Sequence, residues 1–262
     1  MQYGASIKFL WSGLPPVQRV GAAAAAGFDA IELWDWRGED MDGLFAACQH
    51  HGIRIGGCFG HSKGGLRDPD HRPVILAQLA EALDMAEHFG IRQLALFSDE
   101  IQRPQGIIAK PPPLPRAAQT LSCLDGIEAA LNLAQGRPVT LMLEAINTVH
   151  VPGYFWDEVG VTIELCRAFN HPQLRLAFDC FHQQLVGGRL SENLIAALPY
   201  AARVDIANVP GRHQPGIGEI DFVHIRKLLE SEGYDGMVTF ETVPLDGDDE
   251  ACVRAIRETF GF

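Results

Sequence analysis

The sequence predicts an α/β protein folded as a closed (β/α)8 barrel, and three observations support this fold class. Short runs rich in β-branched and aromatic residues alternate with longer stretches whose apolar residues recur at three- and four-residue steps. Eight such units fit into 262 residues, which is about the length of one barrel. The joints at 26–33 ("AGFDAIEL") and 232–240 ("EGYDGMVTF") share one order, a helix end, Gly, an aromatic residue, Asp and a strand, which indicates repeated units.

Eight segments are predicted to form the strands. They are expected at 3–9, 30–34, 53–59, 93–97, 139–144, 174–179, 203–208 and 237–241. No linker interrupts them, so the sequence predicts a single domain over 1–262. A doubly wound open sheet is the alternative, but its first strand is typically followed by a Gly-rich phosphate loop, and "KFLWSGLPP" is not one.

Helices and loops follow from the same patterns. Helices are expected within 72–90 and 221–236, where Gly90 and Gly233 supply the C-terminal stops. The Pro-rich "KPPPLP" at 110–115 lies in the loop after the fourth strand. It is interpreted as a stiff loop over the barrel mouth rather than as a polyproline recognition motif.

Composition narrows the functional classes. The net charge of −12 disfavours nucleic acid as a partner, because phosphate contacts need surplus Lys and Arg. No stretch resembles a signal peptide or a membrane span, and the six Cys form no CxxC pair. We therefore expect a reduced, cytoplasmic protein that acts on small molecules without a membrane partner. A homo-oligomer is compatible with the sequence.

The last four predicted strands end in acids or nearly so: Glu144, Asp179, Asp205 and Glu241. Barrel closure brings such strand ends around one axis at the catalytic face. Converging carboxylates repel one another unless a cation neutralises them, and all-oxygen ligands favour Mg2+ or Mn2+ over zinc. The pattern therefore predicts a divalent metal site, with solvated strand ends as the alternative for any single acid.

Four further side chains are candidates for contact with a substrate. His182 follows Asp179 by three residues, which is suited to donating to a substrate oxygen above the site. Arg212 lies in the loop after strand seven and is suited to gripping a carboxylate. His61 and His150 follow strands three and five and are weighed against ordinary surface roles.

Three other reactive residues are interpreted as structural. The pair His50 and His51 falls on a helix remote from the strand ends, so we expect it at the surface. Cys180 has no evident partner base, so a buried thiol is favoured over a nucleophile.

Four segments together resemble one enzyme family. They are "LEAINTVHVPGYF", "LAFDCFHQQLVGGRL", "VDIANVPGRHQPGIGEIDF" and "VTFETVP". They resemble the hydroxypyruvate isomerase family of xylose-isomerase-like TIM barrels, with sugar 3-epimerases of the tagatose and allulose type as more distant relatives. The resemblance covers most of the chain and is concentrated between 139 and 245.

The resemblance implies a divalent metal at the ends of strands five to eight. Carried over by position, the ligands are Glu144, Asp179, Asp205 and Glu241. His182 and Arg212 match the substrate-contacting positions, and His150 matches a substrate-facing one. The chain departs from its relatives at Asp205, where they usually present Gln or His, since Asp is shorter and adds a negative charge. It also departs in the loop "CFGHSKGGLRD".

The predicted function is metal-dependent isomerisation of a small hydroxycarbonyl compound, such as hydroxypyruvate or tartronate semialdehyde, through an enediolate. The metal would bind the carbonyl and hydroxyl oxygens, one of Glu144 and Glu241 would remove the proton, and the other would assist from the opposite side. Arg212 would hold a substrate carboxylate. The alternatives are a 3-epimerase of a keto sugar, a lyase acting on an oxidised sugar, an endonuclease-IV-like enzyme and a non-catalytic barrel.

Overall fold

The protein is a closed barrel of eight parallel strands in a computed structural model, which describes residues 1–102 and 106–262. The first four strands are β1 (Gln2–Ser6), β2 (Ala30–Glu32), β3 (Arg54–Phe59) and β4 (Gln93–Leu96). The last four are β5 (Thr140–Glu144), β6 (Leu174–Asp179), β7 (Ala201–Ile206) and β8 (Met237–Phe240). Each strand pairs with its sequence neighbours, and β1 pairs with β8 to close the ring. The predicted barrel is confirmed, and the open sheet is excluded.

Helices surround the strands in the described part of the chain. They are α1 (Pro16–Ala25), α2 (Met41–His51), α3 (Arg72–Phe89), α4 (Arg116–Ala134), α5 (Val159–Phe169), α6 (Cys180–Val186), α7 (Leu190–Ala197), α8 (Phe222–Ser231) and α9 (Asp249–Phe260). Short 3-10 turns lie at Pro69–His71, Leu198–Tyr200 and Leu245–Gly247. A small antiparallel hairpin pairs Ile101–Gln102 with Ile107–Ile108 in the loop after β4. Within the described residues, none of the helices combines the length and apolarity needed to cross a membrane.

Local chemistry explains where these helices begin and end. Gly90 follows α3 at a φ of 70°, a left-handed conformation that glycine adopts without steric cost. Asp221 directly precedes α8 and caps it, since its carboxylate accepts a hydrogen bond from the backbone of His224. Ile225 and Leu229 of the same helix are buried against the barrel. Both helices predicted from periodicity are therefore confirmed.

The residues interpreted as structural lie as expected. His50 and His51 are exposed on α2, and Cys180 is fully buried. Burial raises the pKa of the Cys180 thiol well above its ordinary value, and the nearby Asp179 carboxylate adds to this effect. The thiol is therefore protonated at neutral pH and is not an activated nucleophile.

Candidate active site

Four buried acids lie at the carboxyl ends of neighbouring strands. Glu144 ends β5, Asp179 ends β6, Asp205 is the penultimate residue of β7, and Glu241 directly follows β8. Their exposed fractions run only from 0 to 7%. Asp179 and Asp205 are register partners on adjacent strands. The convergence predicted for these acids is therefore present at one end of the barrel.

Burial and mutual repulsion make this cluster hold its protons tightly. Burial raises the pKa of Glu144 to about 8, and the charges of Glu241 and Asp179 contribute to the rise. Burial also raises the pKa of Asp179, although Arg212 opposes the shift. The pKa of Asp205 is raised well above its ordinary value by burial, against the attraction of Arg203. The cluster therefore favours binding either protons or a cation at neutral pH.

His182 is held in place through its backbone and through the Nδ1 atom of its ring. Asp179 accepts a hydrogen bond of 3.0 Å from the His182 backbone and so caps α6, which places the imidazole over the strand end. His182 Nδ1 lies 3.3 Å from the Asn147 backbone nitrogen, which donates to it, and 2.5 Å from the Asn147 amide. The Asn147 side-chain oxygen is occupied by the backbone N–H of His150 at 2.7 Å.

The tautomer of His182 follows from these contacts. Because Nδ1 accepts a hydrogen bond, the neutral ring carries its proton on Nε2. Nε2 lies 3.8 Å from a Glu144 oxygen and 3.5 Å from an Asp179 oxygen. The ring therefore presents an N–H donor beside the carboxylates, and a protonated Nε2 cannot ligate a metal.

Arg212 bridges two of the acids. Its Nη2 donates to Asp179 Oδ2 at 3.1 Å and to Glu241 Oε2 at 2.5 Å, and its Nε donates to the Glu241 carbonyl at 3.1 Å. The guanidinium carbon lies 5.3 Å from the ring centre of Phe9 and 5.1 Å from that of Phe181. Although burial opposes its charge, the neighbouring carboxylates raise the pKa of Arg212 further.

The loop that carries Arg212 is fixed by its own backbone. Asn208 Oδ1 accepts from the backbone of Val209 and of Ile220, each at 2.9 Å, which ties the two ends of the loop together. Gly218 has a φ of 121°, and a Cβ atom there would lie 2.4 Å from the Val209 carbonyl oxygen. The second glycine of the "PGIGEI" motif, Gly218, is therefore required for this loop to close over the strand ends.

Two of the acids, Glu144 and Glu241, line a cavity of about 550 Å3. Glu144, His182, Arg212 and Glu241 form its polar base. Its walls are largely aromatic and include Phe9, Trp34, Phe59, Phe97 and Phe181. Such a cavity suits a small polar molecule that is bound by its oxygens at the base and is shielded from water by the walls.

The remaining predicted site residues lie at different depths. His150 is exposed at the mouth of the cavity and stacks on Phe181, with ring centres 5.5 Å apart. His61 is fully buried and lines a neighbouring cavity of about 430 Å3. Burial lowers the pKa of His61 to about 4, so its ring is neutral. A direct substrate contact for either residue stays a prediction.

Sequence reasoning missed four residues of this site. Glu32 ends β2 and is 3% exposed, and the strand-end pattern that found the other acids would have found it as well. Arg203 lies on β7 two residues before Asp205, and two-residue spacing puts side chains on one face of a strand. Asn147 lies in the segment "LEAINTVHVPGYF" that carries the resemblance, but its contact with His182 has no signal in the sequence. Lys8 has no signal either, because only the fold brings it to the cavity.

The residues fit a divalent cation. One side-chain atom each of Glu144, Asp179 and His182 lies within 4.8 Å of the other two. Asp205 Oδ1 is buried and has no hydrogen-bond partner among the described residues. Since the ring of His182 presents N–H, the carboxylate oxygens are the available ligands, and such a set suits Mg2+ or Mn2+. Which of the four acids bind the ion stays a prediction.

Comparison with known proteins assigns the chain to a class. Residues 20–258 match the model of the xylose isomerase-like TIM barrel family, so the chain belongs to that family. Within it, the chain is 33% identical over 258 residues to a protein of Mus musculus named "Putative hydroxypyruvate isomerase", covering 93% of this chain and 90% of that protein. It is 28% identical over 257 residues to the 2-oxo-tetronate isomerase of Cupriavidus necator, covering 94% of each.

These relatives confirm the resemblance to hydroxypyruvate isomerases and the isomerase class predicted from the sequence. Solved structures extend the likeness of the fold. A Clostridium cellulolyticum D-psicose 3-epimerase superimposes with a TM-score of 0.77 at 17% identity, covering 100% of this chain and 92% of the other. A Brucella melitensis protein titled AP endonuclease, family 2, superimposes with a TM-score of 0.84 at 24% identity, covering 93% of both chains.

Proposed function

We propose that this protein is a divalent-metal-dependent isomerase of a small hydroxycarbonyl acid, using Mg2+ or Mn2+. It would interconvert the aldehyde and ketone forms of a compound like hydroxypyruvate or tartronate semialdehyde through an enediolate. The observation that carries the proposal is that Glu144 and Glu241, from strands three apart in the barrel, both line one cavity. Two acids facing one small cavity are suited to moving a proton between adjacent carbon atoms.

The metal would be held by Glu144, Asp179, Asp205 and Glu241. When bound, a divalent ion supplies a Lewis acid that polarises the substrate carbonyl and stabilises the negative charge of the enediolate. The chain's own residues would supply the proton transfers and the orientation of the substrate.

Glu144 and Glu241 would divide the proton transfers. The raised pKa of Glu144, about 8 without a cation, lies near the value at which a carboxyl group both gives and takes protons efficiently at neutral pH. Glu241 is held by Nη2 of Arg212, which fixes its orientation toward the cavity. His182, with its proton on Nε2, would donate a hydrogen bond to the substrate oxygen that gains negative charge.

The cavity also favours an acidic substrate. Arg212 and Lys8 both line it, and Lys8 is exposed with its Nζ 5.9 Å from the ring centre of Trp34. Much of the hydrogen-bonding capacity of Arg212 is used by Asp179 and Glu241, so Lys8 is the better placed of the two to bind a carboxylate. The names of both relatives, hydroxypyruvate isomerase and 2-oxo-tetronate isomerase, refer to acids of this chemical class.

A 3-epimerase of a keto sugar is the second candidate. Two acids facing a single cavity also suit removal of a proton from one face of a carbon and its return to the other. The volume of about 550 Å3 leaves room for a sugar longer than three carbons. The same residues would act, so the two functions differ in the carbon that exchanges its proton.

The experiment is deuterium exchange over a panel of three- to six-carbon hydroxycarbonyl compounds in D2O with Mn2+. Uptake of deuterium beside the carbonyl of a small acid is expected, whereas uptake at C3 of a neutral ketose would favour the epimerase. Glu144→Gln and Glu241→Gln should each abolish exchange while circular dichroism stays unchanged. Glu128→Gln, on the exposed face of α4, is the matched control. Exchange that persists in either cavity variant would refute the paired-acid scheme.

A further inference from the structure

Arg203 lies in the barrel interior two residues before Asp205 on β7, and its side chain is 4% exposed. It shares the inward face of β7 with Asp205. We propose that Arg203 is the counter-charge of the metal site, a fixed positive charge that offsets the negative charge of Asp205. The pair then limits the net negative charge that the site presents to a divalent ion. This inference rests on the proposed function, since it concerns the same metal site.

One guanidinium group contacts carboxylates from three strands. Arg203 Nε donates to Asp205 Oδ2 at 3.0 Å and lies 2.7 Å from Oδ1 of the same residue. Nη1 lies 3.6 Å from a Glu32 oxygen on β2, and Nη2 lies 3.5 Å from a Glu241 oxygen after β8. The rigid fork of arginine suits such a position, because a lysine ammonium is a single point of charge.

The charge balance shows why the site needs this cation. Five buried carboxylates meet here, and they face the guanidinium groups of Arg203, which is buried, and of Arg212, whose side chain is 15% exposed. When all five acids are ionised, 5 − 2 leaves three negative charges. Without Arg203 the difference becomes 5 − 1, which leaves four. A divalent ion lowers the first excess to one and the second only to two. The acids are Glu32, Glu144, Asp179, Asp205 and Glu241.

The pair of Arg203 and Asp205 also accounts for the presence of an acid at position 205, where the chain departs from its relatives. A carboxylate at 205 adds a negative charge to the metal site, and Arg203, two residues earlier on the same face, supplies the opposite charge. Arg203 donates its hydrogen bond to Oδ2, and its Nε also lies 2.7 Å from Oδ1 as an ion pair. Oδ1 is buried and accepts no hydrogen bond among the described residues, so it keeps lone pairs that can bind a cation.

A purely structural ion pair would behave differently from a counter-charge. Removing either member of a structural pair would destabilise the barrel and weaken metal binding in both cases. A counter-charge instead predicts opposite effects on metal affinity. Removing the charge of Arg203 makes the site more negative, whereas removing the charge of Asp205 makes it less negative.

The test is calorimetric titration of the metal-free protein with Mn2+ at fixed pH and ionic strength. Arg203→Met should bind Mn2+ about tenfold more tightly than the wild type, and Asp205→Asn about tenfold more weakly. The double variant should return to within about threefold of the wild type, and Arg203→Lys, which keeps the charge, should stay near it. Arg167→Met is the control, because its side chain is 58% exposed and its charge is screened by solvent.

Each outcome of the titration either supports or overturns the role of Arg203 as a counter-charge. Arg203→Met binding that is unchanged or weaker overturns the counter-charge. If Arg203→Met fails to fold, the double variant decides, because affinity as low as that of Asp205→Asn would overturn the inference and recovery would support it. A wild-type protein that binds no Mn2+ refutes the proposed metal-dependent function, and the inference falls with it. A wild type that binds Mn2+ while the variants fail to shift refutes the inference alone.

Discussion

Replacing Glu144 with Gln should stabilise the metal-free protein at alkaline pH. The pKa of Glu144 is about 8 in the folded state against an ordinary value of 4.5, so between these values the folded protein holds a proton that the unfolded chain has released. Unfolding then releases that proton, and stability falls as the pH rises through the window. Gln keeps the shape of the side chain and does not titrate, so the variant lacks this loss.

The magnitude follows from the width of the window. One proton corresponds to about 1.4 kcal/mol per pH unit, and the window is 8 − 4.5, or 3.5 units wide, which gives about 5 kcal/mol at its upper end. For a chain of this size, about 5 kcal/mol corresponds to about 10 to 20 °C in Tm. Near pH 4.5 the two proteins should be almost equally stable, because Glu144 is then protonated when folded and half-protonated when unfolded.

The assay is urea unfolding in EDTA at intervals from pH 4.5 to 8.5, followed by circular dichroism. The wild-type and Glu144→Gln curves of unfolding free energy against pH should separate steadily above pH 5, with the variant more stable. Glu128→Gln should run parallel to the wild type, since its carboxylate is exposed on α4. Parallel curves for Glu144→Gln and the wild type would show that burial does not hold a proton on this acid.

Three further predictions concern the loaded site. Lys8→Met should raise KM about tenfold for hydroxycarbonyl acids and leave KM for neutral ketoses unchanged, because Lys8 is a cation lining the cavity. Equal changes in KM for acids and neutral ketoses would exclude a contact between Lys8 and a substrate carboxylate. Asn147→Ala should lower kcat about 10- to 100-fold while Mn2+ affinity stays constant in calorimetry, because His182 Nδ1 loses the Asn147 side-chain amide and keeps only the longer backbone hydrogen bond. An unchanged kcat would contradict this. Mn2+ at 100 times its Kd should stabilise the protein by about 2.7 kcal/mol at the pH where Kd is measured. At fixed Mn2+ concentration the shift in Tm should be larger at pH 8 than at pH 6, because Glu144 must lose its proton to bind the ion. A pH-independent shift would count against carboxylate ligation.

The sequence by itself determined the barrel and the acids at its mouth. Strand β6 begins at Leu174 and ends at Asp179 as predicted, and the other strands begin and end within about three residues of expectation, because alternating patterns and glycine stops are local properties of the chain. Closure follows from eight repeated units, and closure alone brings Glu144 and Glu241 to one face.

Only the tertiary structure decided how those acids are held. Arg203 and Glu32 lie 171 positions apart in the chain and meet because β7 and β2 face each other across the barrel interior, and the distance of 3.6 Å between them has no local signature in the sequence. The tautomer of His182 depends on Asn147, which another strand and its loop deliver. The raised pKa of Glu144 depends on burial and on the charges around it, which exist only once the barrel has closed. The spacing of residues along the chain predicts which acids lie at the strand ends, and tertiary packing determines their protonation and their hydrogen-bond partners.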